Sequence, residues 1–94
     1  MAKNKPAPAQ LSEKSKKLWR ALNQEFDFTT ETAELLILAL ENLDLGDRAR
    51  ALLRREGLVL NGRKHPASDA VKLHDGLALR TFRQLGLDVV KGGA

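Results

Sequence analysis

At 94 residues the chain has room for one small domain with a modest core, close to the size where burial alone leaves little margin. It contains no cysteine, which excludes a disulfide framework, a thiolate zinc site and a cysteine nucleophile. The longest apolar run, Leu35 to Leu40, is too short to span a bilayer, and the start Met1-Ala2-Lys3-Asn4-Lys5-Pro6 has no apolar stretch of the signal-peptide kind, so a soluble, intracellular life without a membrane partner is expected.

The net charge of +4 is mild but unevenly spread. Residues 1–20 carry six Lys or Arg against one Glu, residues 21–60 carry four against eight acidic residues, and residues 61–94 carry six against three. Basic ends on an acidic middle favour an anionic partner, and nucleic acid fits better than a membrane surface because no amphipathic apolar face accompanies the first lysines.

Residues 1–11, with Pro6 and Pro8 among Ala, Lys and Asn, lack periodicity and read as a disordered basic tail. One helical domain is expected over residues 12–88. Ser12 suits the N-cap of a first helix running to about Phe26, with Leu18, Trp19, Leu22 and Phe26 on one stripe and Lys14, Lys16, Lys17 and Arg20 around the rest. Trp19 is expected to be buried against a second helix.

Thr29 or Thr30 can cap that second helix, whose first turns hold Glu31 and Glu34 and whose last turn holds Arg54 and Arg55 before Gly57. Unbroken, a helix over residues 31–56 would be about 39 Å long, and Gly46 is the expected place for a kink or short break. Leu35 to Leu40 wrap most of its circumference, so it needs more than one neighbour. Its acidic residues read as a solvated face paired with arginines at helical spacing, as in Asp44 with Arg48.

Between Gly57 and Pro66 the periodicity changes. Leu58-Val59-Leu60 runs into Asn61-Gly62, the pair suited to a two-residue type I′ turn, and Arg63 to His65 can return antiparallel. A hairpin this small is marginal alone and must lean on its own helices or on a neighbouring chain. Pro66 then opens a third helix to about Leu85, with Val71, Ala78, Phe82 and Leu85 on one stripe and Leu73 and Leu77 beside it. Gly86-Leu87 reads as a Schellman ending, and residues 89–94 as a flexible tail. The expected fold is therefore mainly α, with three helices, a long central one among them, and a small β-hairpin between the second and third.

Chemistry-bearing motifs are sparse. His65 and His74 lack the spacing of a metal pair, no Gly-rich phosphate loop follows a strand, and no nucleophile, base and acid are suggested together. No enzyme activity, metal or cofactor is expected.

The order of Leu18-Trp19, Leu52-Leu53-Arg54-Arg55-Glu56-Gly57-Leu58-Val59, His65-Pro66-Ala67 and Phe82-Arg83-Gln84-Leu85-Gly86-Leu87 resembles the phage terminase small subunits, over about residues 15–88. The resemblance implies a non-enzymatic subunit that assembles into a ring and binds double-stranded viral DNA at the packaging start. It implies delivery of that DNA to a terminase large subunit carrying ATPase and nuclease, in the cytoplasm of an infected bacterial host. Many members continue past the Leu-Gly-Leu exit into a further basic segment, and here the basic N-terminal tail is expected to serve instead.

On that reading Lys3, Lys5, Lys14, Lys16, Lys17 and Arg20 are first candidates for phosphate contact, followed by Arg63, Lys64, Arg80 and Arg83. Leu35, Leu38, Leu45, Leu58, Val59 and Leu60 are candidates for the interface between subunits. Two other readings stay open: a small dimeric regulator with a helix-turn-helix-like pair over residues 18–40, and a structural adaptor without nucleic acid.

Overall fold

The structure is a computed structural model and describes residues 6–87. It is mainly helical: α1 spans Glu13–Glu25, α2 Thr30–Glu56 and α3 Pro66–Gln84, with strands β1 (Val59–Leu60) and β2 (Arg63–Lys64) between α2 and α3. Each helix boundary has a local cause. Ser12 Oγ accepts from Ser15 N–H at 3.1 Å, and Thr29 Oγ1 accepts from Thr32 N–H at 3.1 Å, so both N-caps satisfy a donor that the helix cannot. Helix α2 stops at Gly57, whose φ of 85° is open to glycine and strained for other residues.

Strands β1 and β2 pair antiparallel with Val59 opposite Lys64 and Leu60 opposite Arg63. Asn61 and Gly62 supply φ values of 53° and 77°, the two positive angles that a type I′ turn needs. A bond from His65 N–H to Leu58 O at 2.9 Å extends the ladder to the base of the hairpin. At the far end of α3, Gly86 N–H bonds Arg83 O and Leu87 N–H bonds Phe82 O, which is the Schellman pattern, and it buries Leu87 in the core.

Both α1 and α3 run antiparallel to α2, and each covers a different side of it. The start of α1 sits at Asp44 and Asp47, through Ser12, Ser15 and Lys14, and its end turns directly into α2. Helix α3 starts beside Glu56, passes Arg50 and Asn42 at Asp75 and His74, and ends with Phe82 in the core. The three helices meet at one end, where Leu11, Trp19, Leu22, Leu36, Leu40 and Phe82 form the cluster. Beyond Asp47, α3 is the helix packed on α2 among the described residues, and this two-helix arm carries the hairpin at its tip. The result is a rod of 53 × 24 × 24 Å.

Four expectations change. The tail reading fails over residues 6–11: Leu11 is buried, Ala7 packs on the same cluster, and Gln10 Nε2 donates to Glu41 Oε2 at 3.1 Å. An aliphatic residue next to the Ser12 cap is drawn into the core, which local periodicity does not register. Residues 1–5, with Lys3 and Lys5, and the tail at 89–94 lie outside the described residues.

Gly46 does not interrupt α2, which is continuous through it. It is instead a point of close approach, since a Cβ there would lie 2.5 Å from Asp75 Oδ1 on α3. Asp44 is not on a solvated face paired with Arg48. It is 5% exposed and accepts from Ser12 N–H at 2.8 Å and from the hydroxyls of Ser12 and Ser15, both at 2.6 Å. Leu73, placed beside the apolar stripe of α3, is exposed at the surface.

Candidate nucleic-acid and assembly surfaces

The cations proposed for phosphate contact divide into paired and unpaired groups. On α1, Lys14 binds Asp47 at 3.1 Å and Lys16 approaches Glu13 at 3.5 Å, so both are partly engaged within the fold. Lys17 and Arg20 are exposed and make no ion pair among the described residues. Three residues apart on a helix, they share one face. Arg80 and Arg83 repeat that arrangement on α3, exposed and likewise unpaired among the described residues. In the hairpin, Lys64 donates to Asp69 Oδ1 at 2.8 Å, while Arg63 is exposed. That hydrogen bond, together with the ammonium charge, holds the Asp69 carboxyl below its ordinary range.

The fold does not gather all of these into one site. Arg63 and Lys64 precede α3, whereas Arg80 and Arg83 lie in its last turns, about 20–25 Å further along the helix axis at 1.5 Å per residue. The hairpin cations therefore sit at the tip of the arm, and those of α1 and late α3 belong to the three-helix end. A duplex lying along the rod could reach both ends; a compact pocket could not.

The proposed assembly residues are better exposed. Leu58, Val59 and Leu60 are 67%, 65% and 39% exposed, so the hairpin does not bury its apolar side against its own helices. On α2, Leu38 and Leu45 are exposed, while Leu35 is half-buried. A groove of about 530 Å³ lies along α2 beside Leu35 and Leu38, lined also by Gln10 and Glu41.

Three polar constellations escaped sequence reasoning, and each is structural. Asp44 closes the first turn of α1 from the neighbouring helix, so its charge meets the positive end of the α1 dipole. Nothing near Asp44 in sequence signals a partner about 30 residues earlier. Arg50 bridges α2 and α3, with Nη2 to Asp47 Oδ1 at 2.7 Å and Nη1 to Asp75 Oδ2 at 2.5 Å. Hydrogen bonding to Asp75 and then Asp47 raises the Arg50 pKa above its usual value. For Asp47 burial pulls the pKa upward, but hydrogen bonds from Arg50 and Lys14 outweigh it and leave the carboxyl below its usual range.

His65 is the third. Its Nδ1 accepts from Ala67 N–H at 2.9 Å as the N-cap of α3, which leaves Nε2 as the protonated nitrogen, and that atom meets Glu56 Oε1 at 2.7 Å. One buried ring thereby ties the end of α2 to the start of α3 across the hairpin base. Its place immediately before the N1 proline was the available signal.

Among the described residues no group of three His, Cys, Asp or Glu side chains is placed to hold a metal ion, and no helix is long and apolar enough to cross a membrane. Comparison with protein-family models, with curated proteins and with solved structures finds no match to this chain.

Proposed function

We propose that this chain is a non-enzymatic, self-assembling DNA-binding subunit of the phage terminase small-subunit type, which engages viral DNA at the packaging start and hands it to a large-subunit motor in the infected bacterium. The observation that carries the assembly half of the reading is the hairpin. It presents Leu58, Val59 and Leu60 at the tip of a two-helix arm, away from the chain's own core. Three consecutive exposed apolar residues on a marginal two-stranded element are stabilised when a neighbouring copy covers them. The unpaired pairs Lys17 with Arg20 and Arg80 with Arg83 support the DNA half, as cations that no internal carboxylate occupies among the described residues. Such groups position a protein on phosphates without reading sequence.

The test is duplex-DNA binding by fluorescence anisotropy across a salt series, for the wild-type chain and for a variant with Lys17, Arg20, Arg80 and Arg83 all changed to Ala. The variant should bind more weakly on every sequence, and its log–log salt slope should flatten by roughly one for each lost phosphate contact. Equal affinity and equal slope would remove DNA from the reading.

A further inference from the structure

The outer face of α2 carries a pattern that neither the core nor the proposed DNA contacts use. Leu38, Leu45 and Leu52 recur every seven residues along the side of the helix that α1 and α3 leave open. Leu38 and Leu45 are 49% and 39% exposed, and Leu52 is half-buried. Interleaved at the same spacing stands a charged row, Glu34, Glu41, Arg48 and Arg55. The row changes sign at its middle. It is acidic toward the start of α2 and basic toward its end.

We infer that this face binds a second copy of the same chain, with the two α2 helices antiparallel about a twofold axis passing between Asp44 and Leu45. Both Glu41 with Arg48 and Glu34 with Arg55 are centred on that one point. A twofold there sets each Glu against the Arg of the other copy, four complementary contacts from four residues per chain. A parallel pairing about the same leucine strip would carry the two charged rows to opposite sides and leave each Glu without an Arg across the contact.

The same axis brings Leu45 beside its own copy and Leu38 beside Leu52 of the other chain, so the leucine row forms the apolar strip next to the ion pairs. The charges are available for this. Glu34 and Arg48 make no ion pair among the described residues, Glu41 is contacted by the neutral Gln10 amide, and Arg55 approaches only its neighbour Glu56, at 4.0 Å. A recess of about 240 Å³ beside the axis, lined by Gln10, Glu41, Asp44, Leu45 and Arg48, leaves room for the opposing side chains.

This contact pairs chains two by two through α2. It stands apart from the hairpin contact and does not depend on DNA binding.

The absence of cysteine makes the register directly readable. In the full chain under mild oxidation, Leu45→Cys should cross-link to itself, because helices packed at 8–10 Å bring facing Cα atoms within disulfide range. Leu38→Cys and Leu52→Cys should each stay uncross-linked alone but form a heterodimeric disulfide when mixed. In sedimentation, Glu41→Arg should weaken the dimer by about tenfold or more, and Glu41→Arg with Arg48→Glu should restore it. Self-cross-linking of Leu38→Cys as fast as that of Leu45→Cys would overturn the antiparallel register. So would failure of the charge swap to rescue a variant that circular dichroism shows to be folded. Changing Asn61-Gly62 to Val-Val, which strikes the hairpin, should leave the Leu45→Cys cross-link intact, so failure of one contact is distinguishable from failure of the other.

Discussion

At Gly46 a single hydrogen stands where any other residue would place a carbon 2.5 Å from Asp75 Oδ1. Asp75 cannot simply swing away, because its other oxygen is held by Arg50. Alanine would gain up to about 1 kcal/mol of helix propensity but lose about 1–3 kcal/mol to overpacking, so Gly46→Ala should be net destabilising in urea unfolding. In an Asp75→Ala background the same change should become neutral or stabilising; stabilisation in both backgrounds would deny that close approach explains the glycine. The neighbouring Asp47 gives an acid limb. Its folded pKa lies below its unfolded one, so its contribution is present above about pH 4 and is lost as pH falls through the lower folded value. Asp47→Asn should therefore lower the thermal midpoint at neutral pH, with the gap to wild type closing below about pH 4. Only the i,i+3 pair of Asp47 with Arg50 follows the helical spacing that the residues suggest; the contacts of Asp75 with Arg50 and Gly46 arise only at the α2–α3 crossing.

The helices and the hairpin, by contrast, were legible because their signals are local. Ser12, Thr29, Gly57, Pro66 and Gly86 each act within a few residues of themselves, and each boundary falls where its chemistry requires. Residues 6–11 were misread for the complementary reason. Their order comes from Leu11 and Ala7 reaching the core, a contact across the fold that leaves no periodic trace. For the hairpin the positive φ at both Asn61 and Gly62 makes a direct prediction. Replacing the pair with Val-Val forces β-branched residues into that region, and oligomer mass should fall while helical circular dichroism is retained. An intact oligomer would reduce the hairpin to a connector.

A three-helix end with most of the core is joined to a thinner arm that ends in exposed leucines and valine, and on the outer side of α2 Leu38 and Leu45 stay exposed. Of the proposed contacts, sequence could nominate exposed apolar and basic residues and, from the expected length of α3, the separation of the hairpin cations from Arg80 and Arg83; it could not show which cations an internal carboxylate already holds, because Lys14 meets Asp47 only through the packing of α1 on α2. A rod with apolar surface at its tip and along its flank is a part suited to an assembly. Native mass spectrometry of the full chain, alone and with duplex DNA, tests that most directly. A discrete, closed oligomer that takes up DNA as a defined complex is the expected result; a species that stays monomeric at high concentration, with or without DNA, would contradict it.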